Sequence, residues 1–268
     1  HKTHTPLKVL INNRLLGRLE RETSGAVSFQ YAESWLDWEH AFAASLSLPL
    51  RTAAYRGAPV VAVFDNLLPD NAEIRRRVAE RTGAEGIDPY SLLARIGRDC
   101  VGAMQFLPDG EDLQISSAID GHPLNDEEIA RLLADLKRAP MGMDAENDFR
   151  ISIAVAQEKT ALLRHEEQWM RPIGTTPTTH ILKPQLGEIP TSSGMIDMTA
   201  SVDNEHYCLK LLEAFGLKVA QTNIATFGDR RVLVVERFDR RWTDDGRLLR
   251  IPQEDCCQAL GKPSSQKY

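Results

Sequence analysis

Three features of this chain are spaced for chemistry on a phosphate. The stretch Ala154-Val155-Ala156-Gln157-Glu158-Lys159 is a short loop between two strand-like strings, Phe149-Arg150-Ile151-Ser152-Ile153 and Thr160-Ala161-Leu162-Leu163-Arg164. A strand–loop–strand of this kind lets backbone N–H groups approach a phosphate closely. Lys183 ends a later strand-like string, Thr178-Thr179-His180-Ile181-Leu182-Lys183, which Pro184 closes. A lysine there can neutralise the α and β phosphates of a nucleotide. Glu205, near the start of the helix that follows, can hold that lysine in place. Order alone leaves an alternative open, a plain sheet-and-helix domain with Lys183 facing solvent. Ser152 by itself reads as an ordinary strand serine, and Phe238 as core.

The elements that must position these residues follow from periodicity and punctuation. Residues 7–11, 15–19 and 27–31 read as strands, with turns at Asn12-Asn13 and Ser24-Gly25. A helix is expected from Asp70, with Glu73 completing a capping box, Ile74 and Val78 on its buried face and Gly83 as its stop. Arg75, Arg76 and Arg77 form a charge run, read as a solvated helix face or a phosphate or partner contact. A second helix is expected from Asn125, with Glu128 three residues on and Ile129, Leu132, Leu133 and Leu136 on one face. Residues 140–147 lack periodicity and suggest a domain boundary. The segment from 185 to about Thr199 reads as loop. The next helix takes Ser201 as cap, Asp203 and Glu205 in its first turn, a buried stripe of Tyr207, Leu211, Leu212 and Phe215, and Gly216 as its end. Strands over 219–226 and 231–236 follow, joined by a turn at 227–230.

Composition excludes several classes. The chain has 268 residues, 42% hydrophobic and 26% charged, with a formal net charge of −6. These values suit a folded chain rather than a disordered or fibrous one, and argue against a wholly basic nucleic-acid binder. No apolar run reaches the roughly 18 residues needed to cross a bilayer. The N-terminal His1-Lys2-Thr3-His4-Thr5-Pro6 carries no apolar stretch, so a signal peptide is not expected. Cys100, Cys208, Cys256 and Cys257 form no C-x-x-C pair and suit a reducing cytoplasm. The seven histidines are scattered, and no dedicated metal site is expected.

Protein kinases combine a phosphate loop, a strand lysine and a helix glutamate. Specific strings narrow this further. They are Asp65-Asn66-Leu67-Leu68-Pro69-Asp70, Ile96-Gly97-Arg98-Asp99-Cys100-Val101-Gly102-Ala103, Asn147 to Ala154, Ala156 to Leu163, Pro177 to Ile181, Ser201 to Glu205, Val235-Glu236-Arg237-Phe238-Asp239-Arg240 and Pro252-Gln253-Glu254-Asp255. In this order they resemble the HipA family of bacterial toxin serine/threonine kinases, from the first strand to the last residue.

The resemblance implies an α+β fold. Its parts would be a small β-rich N-terminal subdomain over 1–146, a protein-kinase-like N-lobe of antiparallel sheet plus one helix over 147–252, and the start of a helical C-lobe over 253–268. It implies ATP and Mg²⁺ as cofactors. Ala154, Val155, Ala156, Gln157, Glu158 and Lys159 would form the phosphate loop, with Lys183 contacting ATP and Glu205 supporting it. Glu236, Arg237 and Phe238 would form the hinge where adenine meets backbone. Ser152 would be the autophosphorylated serine. Implied partners are a HipB-like helix-turn-helix antitoxin, operator DNA through that complex, and glutamyl-tRNA synthetase as substrate, with growth arrest and persistence as the outcome in a bacterial cytoplasm. Val155 departs from the glycine common at that position, removing the φ > 0 option and adding bulk near phosphate. The family's catalytic-loop Asp and Asn and its metal-binding Asp are expected beyond Tyr268, so the chain alone is expected to be inactive. The alternative reading is a non-catalytic fragment or pseudokinase that acts as an antitoxin-binding or regulatory module.

Overall fold

The computed structural model describes residues 4–111, 118–136, 158–191 and 194–267. Strands β1 (Leu7–Ile11), β2 (Arg14–Arg21) and β3 (Val27–Tyr31) form an antiparallel meander. Its first turn is Asn12-Asn13, both residues at positive φ (45° and 68°). That is the two-residue hairpin geometry asparagine tolerates. After α1 (Glu33–Leu36), β4 (Tyr55–Arg56) pairs with β3. Helices α2 (Ala58–Asp65), α3 (Ala72–Thr82) and α4 (Pro89–Ile96) lead to β5 (Met104–Pro108), giving the sheet order β4-β3-β2-β1-β5. Leu7, Val9, Leu16, Leu19 and Phe29 from the strands bury against Val60, Val63, Phe64, Leu92 and Leu93 from the helices. The N-terminal half is therefore as helical as it is β-rich. Helix α2 gave no period because its sequence, Ala-Pro-Val-Val-Ala-Val-Phe-Asp, is apolar on every face.

The cap of α3 lies one residue later than expected. Asn71 accepts the N–H groups of Glu73 and Ile74, while Asp70 instead binds Lys267 at 2.9 Å. Gly83 ends the helix at φ 65° as anticipated.

The second sheet has the order β12-β13-β9-β7-β8-β6, antiparallel throughout. Its strands are β6 (Gly121–Pro123), β7 (Thr160–His165), β8 (Gln168–Pro172), β9 (His180–Pro184), β12 (Thr222–Phe227) and β13 (Arg230–Glu236). Helix α5 (Asp126–Ala134) starts after Asn125 as expected, where Asn125 and Glu128 form a capping box, and packs Ile129, Leu132 and Leu133 on Leu162, Leu182, Val232 and Val234. Because β6 and α5 belong to this sheet, a division at residue 146 does not follow the sheets. Strand β8 was not expected: its hairpin turns on Glu166-Glu167, both at positive φ, residues that carry no turn signal.

Two small hairpins were also unforeseen. Strands β10 (Glu188–Thr191) and β11 (Gly194–Asp197) fill the segment read as loop, and β14 (Arg240–Trp242) pairs with β15 (Leu248–Arg250). Helix α6 (Ser201–Ala214) lies against β12 and β13. Its cap position is Ala200, and the Ser201 hydroxyl accepts the Leu186 N–H instead. The stripe expected to be buried is exposed, with Tyr207 at 65% and Phe215 at 74%, and Leu211 and Leu212 are exposed too. Val202, His206 and Leu209 face inward instead. Both sets recur at helical spacing, so period alone did not choose between them.

The C-terminal segment contains α7 (Cys256–Ala259) and docks on the N-terminal half. Glu254 accepts from the Ser45 hydroxyl at 2.5 Å, and Gln258 Nε2 donates to the Val63 carbonyl at 2.9 Å. No helix among the described residues is long and apolar enough to cross a membrane.

Candidate functional site

Strand alternation places Lys183. Leu182 points into the α5-covered core, so Ile181 and Lys183 point to the opposite face. There the Lys183 ammonium donates to Glu205 Oε1 at 2.5 Å. The helix and strand thus meet through the two residues that order had paired. Strand β9 lies between β13 and β7, so Lys183 sits at the centre of the sheet.

Lys159 joins this pair. Thr160 is paired with Leu182, and one further step of the same register sets Lys159 beside Lys183. Lys159 is only 4% exposed. Burial, reinforced by the charge of Lys183 and opposed by Glu205 and Asp70, pulls its ammonium down to about 7. The preceding residue, Glu158, binds Arg77 of α3 at 3.2 Å, so this stretch is anchored on the N-terminal half. Ser152, Ala154, Val155, Ala156 and Gln157 lie outside the described residues.

The arginine run divides into three roles. Arg75 is buried, its guanidinium on Asp65 Oδ1 at 2.6 Å and on the Pro69 carbonyl at 2.5 Å. Arg76 meets Glu73 at the surface, and Arg77 holds Glu158. Neither the solvated-face reading nor the partner reading fits Arg75.

The expected hinge lies at the end of β13. Glu236 donates its N–H to the Gln221 carbonyl and Arg237 donates its N–H to the Thr179 carbonyl, both at 2.9 Å. Glu236 is exposed, and Phe238 is 72% exposed rather than core. The Arg237 side chain turns the other way, into a buried charge cluster that sequence reasoning did not assign. Asp99 is its centre. One carboxylate oxygen accepts from Arg240 at 2.7 Å, and the other from the Thr178 hydroxyl at 2.7 Å and the Thr178 N–H at 3.0 Å. Arg237 and Arg250 approach at 3.3 Å. Asp239 binds Arg237 at 2.8 Å and accepts the Gly102 N–H at 2.7 Å.

Burial alone would push the Asp99 carboxyl up. The guanidiniums of Arg240, Arg237 and Arg250, with the Thr178 hydroxyl, overcome it and hold the carboxyl well below the usual range. Burial pulls Arg250 down to about 10 against the attraction of Asp99. The available signal was two strings, Ile96 to Ala103 and Val235 to Arg240, whose opposite charges meet across more than 130 residues.

Comparison with known proteins identifies the lineage. Residues 7–107 match the model of the HipA N-terminal domain, and residues 151–268 match that of the HipA-like C-terminal domain. The chain belongs to the HipA family. It is 34% identical over 265 residues to a Sinorhizobium fredii protein named "Putative kinase Y4mE", covering 98% of this chain and 60% of that one. It is 28% identical over 264 residues to the serine/threonine-protein kinase toxin HipA of Shewanella oneidensis, covering 98% and 57%. The solved complex of Shewanella oneidensis HipA with HipB and operator DNA contains a chain that superposes with a TM-score of 0.76 at 28% identity, again covering 98% and 57%. The HipA-family chain described here thus spans about three-fifths of the length of these relatives.

Proposed function

We propose that this chain is the nucleotide-binding portion of a HipA-type serine/threonine kinase toxin. The observation that carries the reading is the Lys183–Glu205 ion pair with buried Lys159 beside it. Two ammonium groups and one carboxylate on a sheet face form a cradle with an excess of positive charge, which suits phosphate oxygens. Glu205 holds Lys183 in a fixed position, so little ordering is needed when an anion arrives. The end of β13 lies three residues along the strand from Leu233, the partner of Lys183. At the usual strand rise that is about 10 Å, a span a nucleoside covers between base and phosphate. The N–H groups of Glu236 and Arg237 are already donated, to the Gln221 and Thr179 carbonyls, so a base would meet the Glu236 carbonyl or the backbone of Phe238.

In this reading ATP is the ligand. Mg²⁺ would supply positive charge that offsets the phosphate charge. Among the described residues no group of three or more His, Cys, Asp or Glu side chains could hold a metal. Ser152 is the proposed autophosphorylation site, where a phosphate would add nearly two negative charges next to the loop that precedes Lys159. By analogy with the Shewanella oneidensis complex, the proposed partners are a HipB-like antitoxin and, through it, operator DNA. The proposed substrate is a translation component such as glutamyl-tRNA synthetase, and phosphoryl transfer to it is a property of the full-length protein.

The test is equilibrium binding of Mg-ATP to the natural full-length protein and to its Lys183→Ala variant. The wild type should bind, and the variant should bind at least tenfold more weakly, the loss of one charge-assisted contact. No binding by the wild type, or equal binding by the variant, would overturn the reading.

A further inference from the structure

Asp99 is far in sequence from every residue assigned to the nucleotide, yet one side chain separates it from the end of β13. Arg237 uses all five of its N–H donors. They reach Asp239 at 3.0 and 2.8 Å, Asp99 at 3.3 Å, the Thr178 hydroxyl at 2.8 Å and the Cys100 carbonyl at 2.9 Å. Arg240 is equally saturated. Its donors reach the carbonyls of Thr178, Gly102, Asp239 and Cys100, and Asp99 at 2.7 Å. Arg237, Asp239 and Arg240 are buried, while Phe238 between them faces outward. The turn after β13 is therefore clamped on both sides of Phe238. The clamp closes on a carboxylate and carbonyls contributed by residues 99–102.

From this geometry we infer that Asp99 is a positioning residue for the base end of the nucleotide site, acting through Arg237 and Arg240, with Thr178 as its hydrogen-bonded support. The inference rests on the ATP-binding reading above. Asp99 would not touch the nucleotide. It would fix the backbone of residues 236–238 before the base arrives, so that base recognition does not have to order a loop. A merely structural role, holding two halves of the molecule together, would weaken both ends of the site alike. Lys159, Lys183 and Glu205 make no contact with the cluster among the hydrogen bonds and ion pairs described, so a positioning role should spare the phosphate end.

The discriminating experiment compares two probes, Mg-ATP and Mg-tripolyphosphate, on the natural full-length protein. Tripolyphosphate reads the phosphate end alone. Asp99→Asn keeps the shape of the side chain and removes its charge. Thr178→Val is nearly isosteric, removes the hydroxyl that donates to Asp99 and accepts from Arg237, keeps the Asp99 charge, and serves as the milder variant if Asp99→Asn does not fold. For whichever folds, ATP should bind about tenfold more weakly, one lost or misaligned hydrogen bond, with tripolyphosphate changed by less than about twofold. An unchanged ratio of the two affinities, whether both fall together or neither moves, would overturn the positioning role. Failure of the wild-type protein to prefer ATP over tripolyphosphate would instead overturn the base-binding reading itself.

Discussion

Lys159 should take up a proton when a nucleotide binds. In the unliganded protein its ammonium is pulled to about 7, chiefly by burial and then by Lys183. At pH 8 a group of that pKa is about one-tenth protonated, and at pH 7 about half. A triphosphate beside it supplies the negative charge it lacks and raises its pKa. Uptake should then approach about 0.9 proton per ATP at pH 8 and about 0.5 at pH 7. At pH 8 the terminal phosphate, whose last pKa is near 6, is already ionised and contributes little. Affinity should fall by up to about tenfold per unit as pH rises above 7, because binding then requires a proton that is increasingly scarce. The sign for stability is the opposite. The unfolded chain holds this proton up to about 10.4 while the fold releases it near 7, so this group makes the unliganded fold more stable as pH rises between those values. The assay is titration calorimetry at pH 8 in buffers of different ionisation enthalpy, where the slope of observed heat against buffer enthalpy counts protons. A zero slope with ATP bound, or the same slope in Lys159→Met, would refute the reasoning.

Three further outcomes are expected from denaturant unfolding. Asp99→Ala should lower stability by about 3–5 kcal/mol, because it strands buried guanidiniums that now share its carboxylate; a loss below about 1 kcal/mol would show that the cluster relaxes or admits water. Asn71→Ala should cost about 1 kcal/mol by uncapping α3, whereas Asp70→Asn should leave the helix cap intact and act only through Lys267; equal effects would count against the assigned cap. Phe215→Ser should change stability by less than about 0.5 kcal/mol because the ring is exposed, while Leu182→Ala should cost about 2–5 kcal/mol. A large loss at Phe215 would mean that the α6 stripe is covered in solution.

What the sequence disclosed depended on whether a signal was local. The Asn12-Asn13 turn, the helix start at Asn125 and the Gly83 stop are short-range devices that appear where expected, whereas two other local signals, the caps at Asp70 and Ser201, each fall one residue off. The Lys183–Glu205 pair was legible because a strand end and a helix start lie in a fixed order. Helix α6 shows the limit. Its 207/211/215 set (steps of four) and its 202/206/209 set (steps of four and three) are both helical spacings, and only the sheet decides which is buried. Strand β8 was missed because a Glu-Glu turn carries no propensity for positive φ. The burial of Lys159 was not readable either. It follows from strand register and from the anchoring of Glu158 on Arg77, neither of which has a sequence signature.

The two ends of the candidate site are built on opposite principles, and this assigns them different work. Around Asp99, three guanidiniums face two carboxylates, and Arg237 and Arg240 have no donor left over. Such a cluster gains nothing from a ligand. What it offers is rigidity, which lowers the entropy cost of base recognition and sharpens the distinction between bases. Around Lys183 the balance is left open. Two ammonium groups share one firmly bound carboxylate, and one of the two is desolvated enough to give up its charge. That end has electrostatic free energy to recover when an anion binds. Affinity should therefore reside at the phosphate end and selectivity at the base end. The N-terminal half bears on both, through Arg77 on Glu158 and through Asp99 on Arg237.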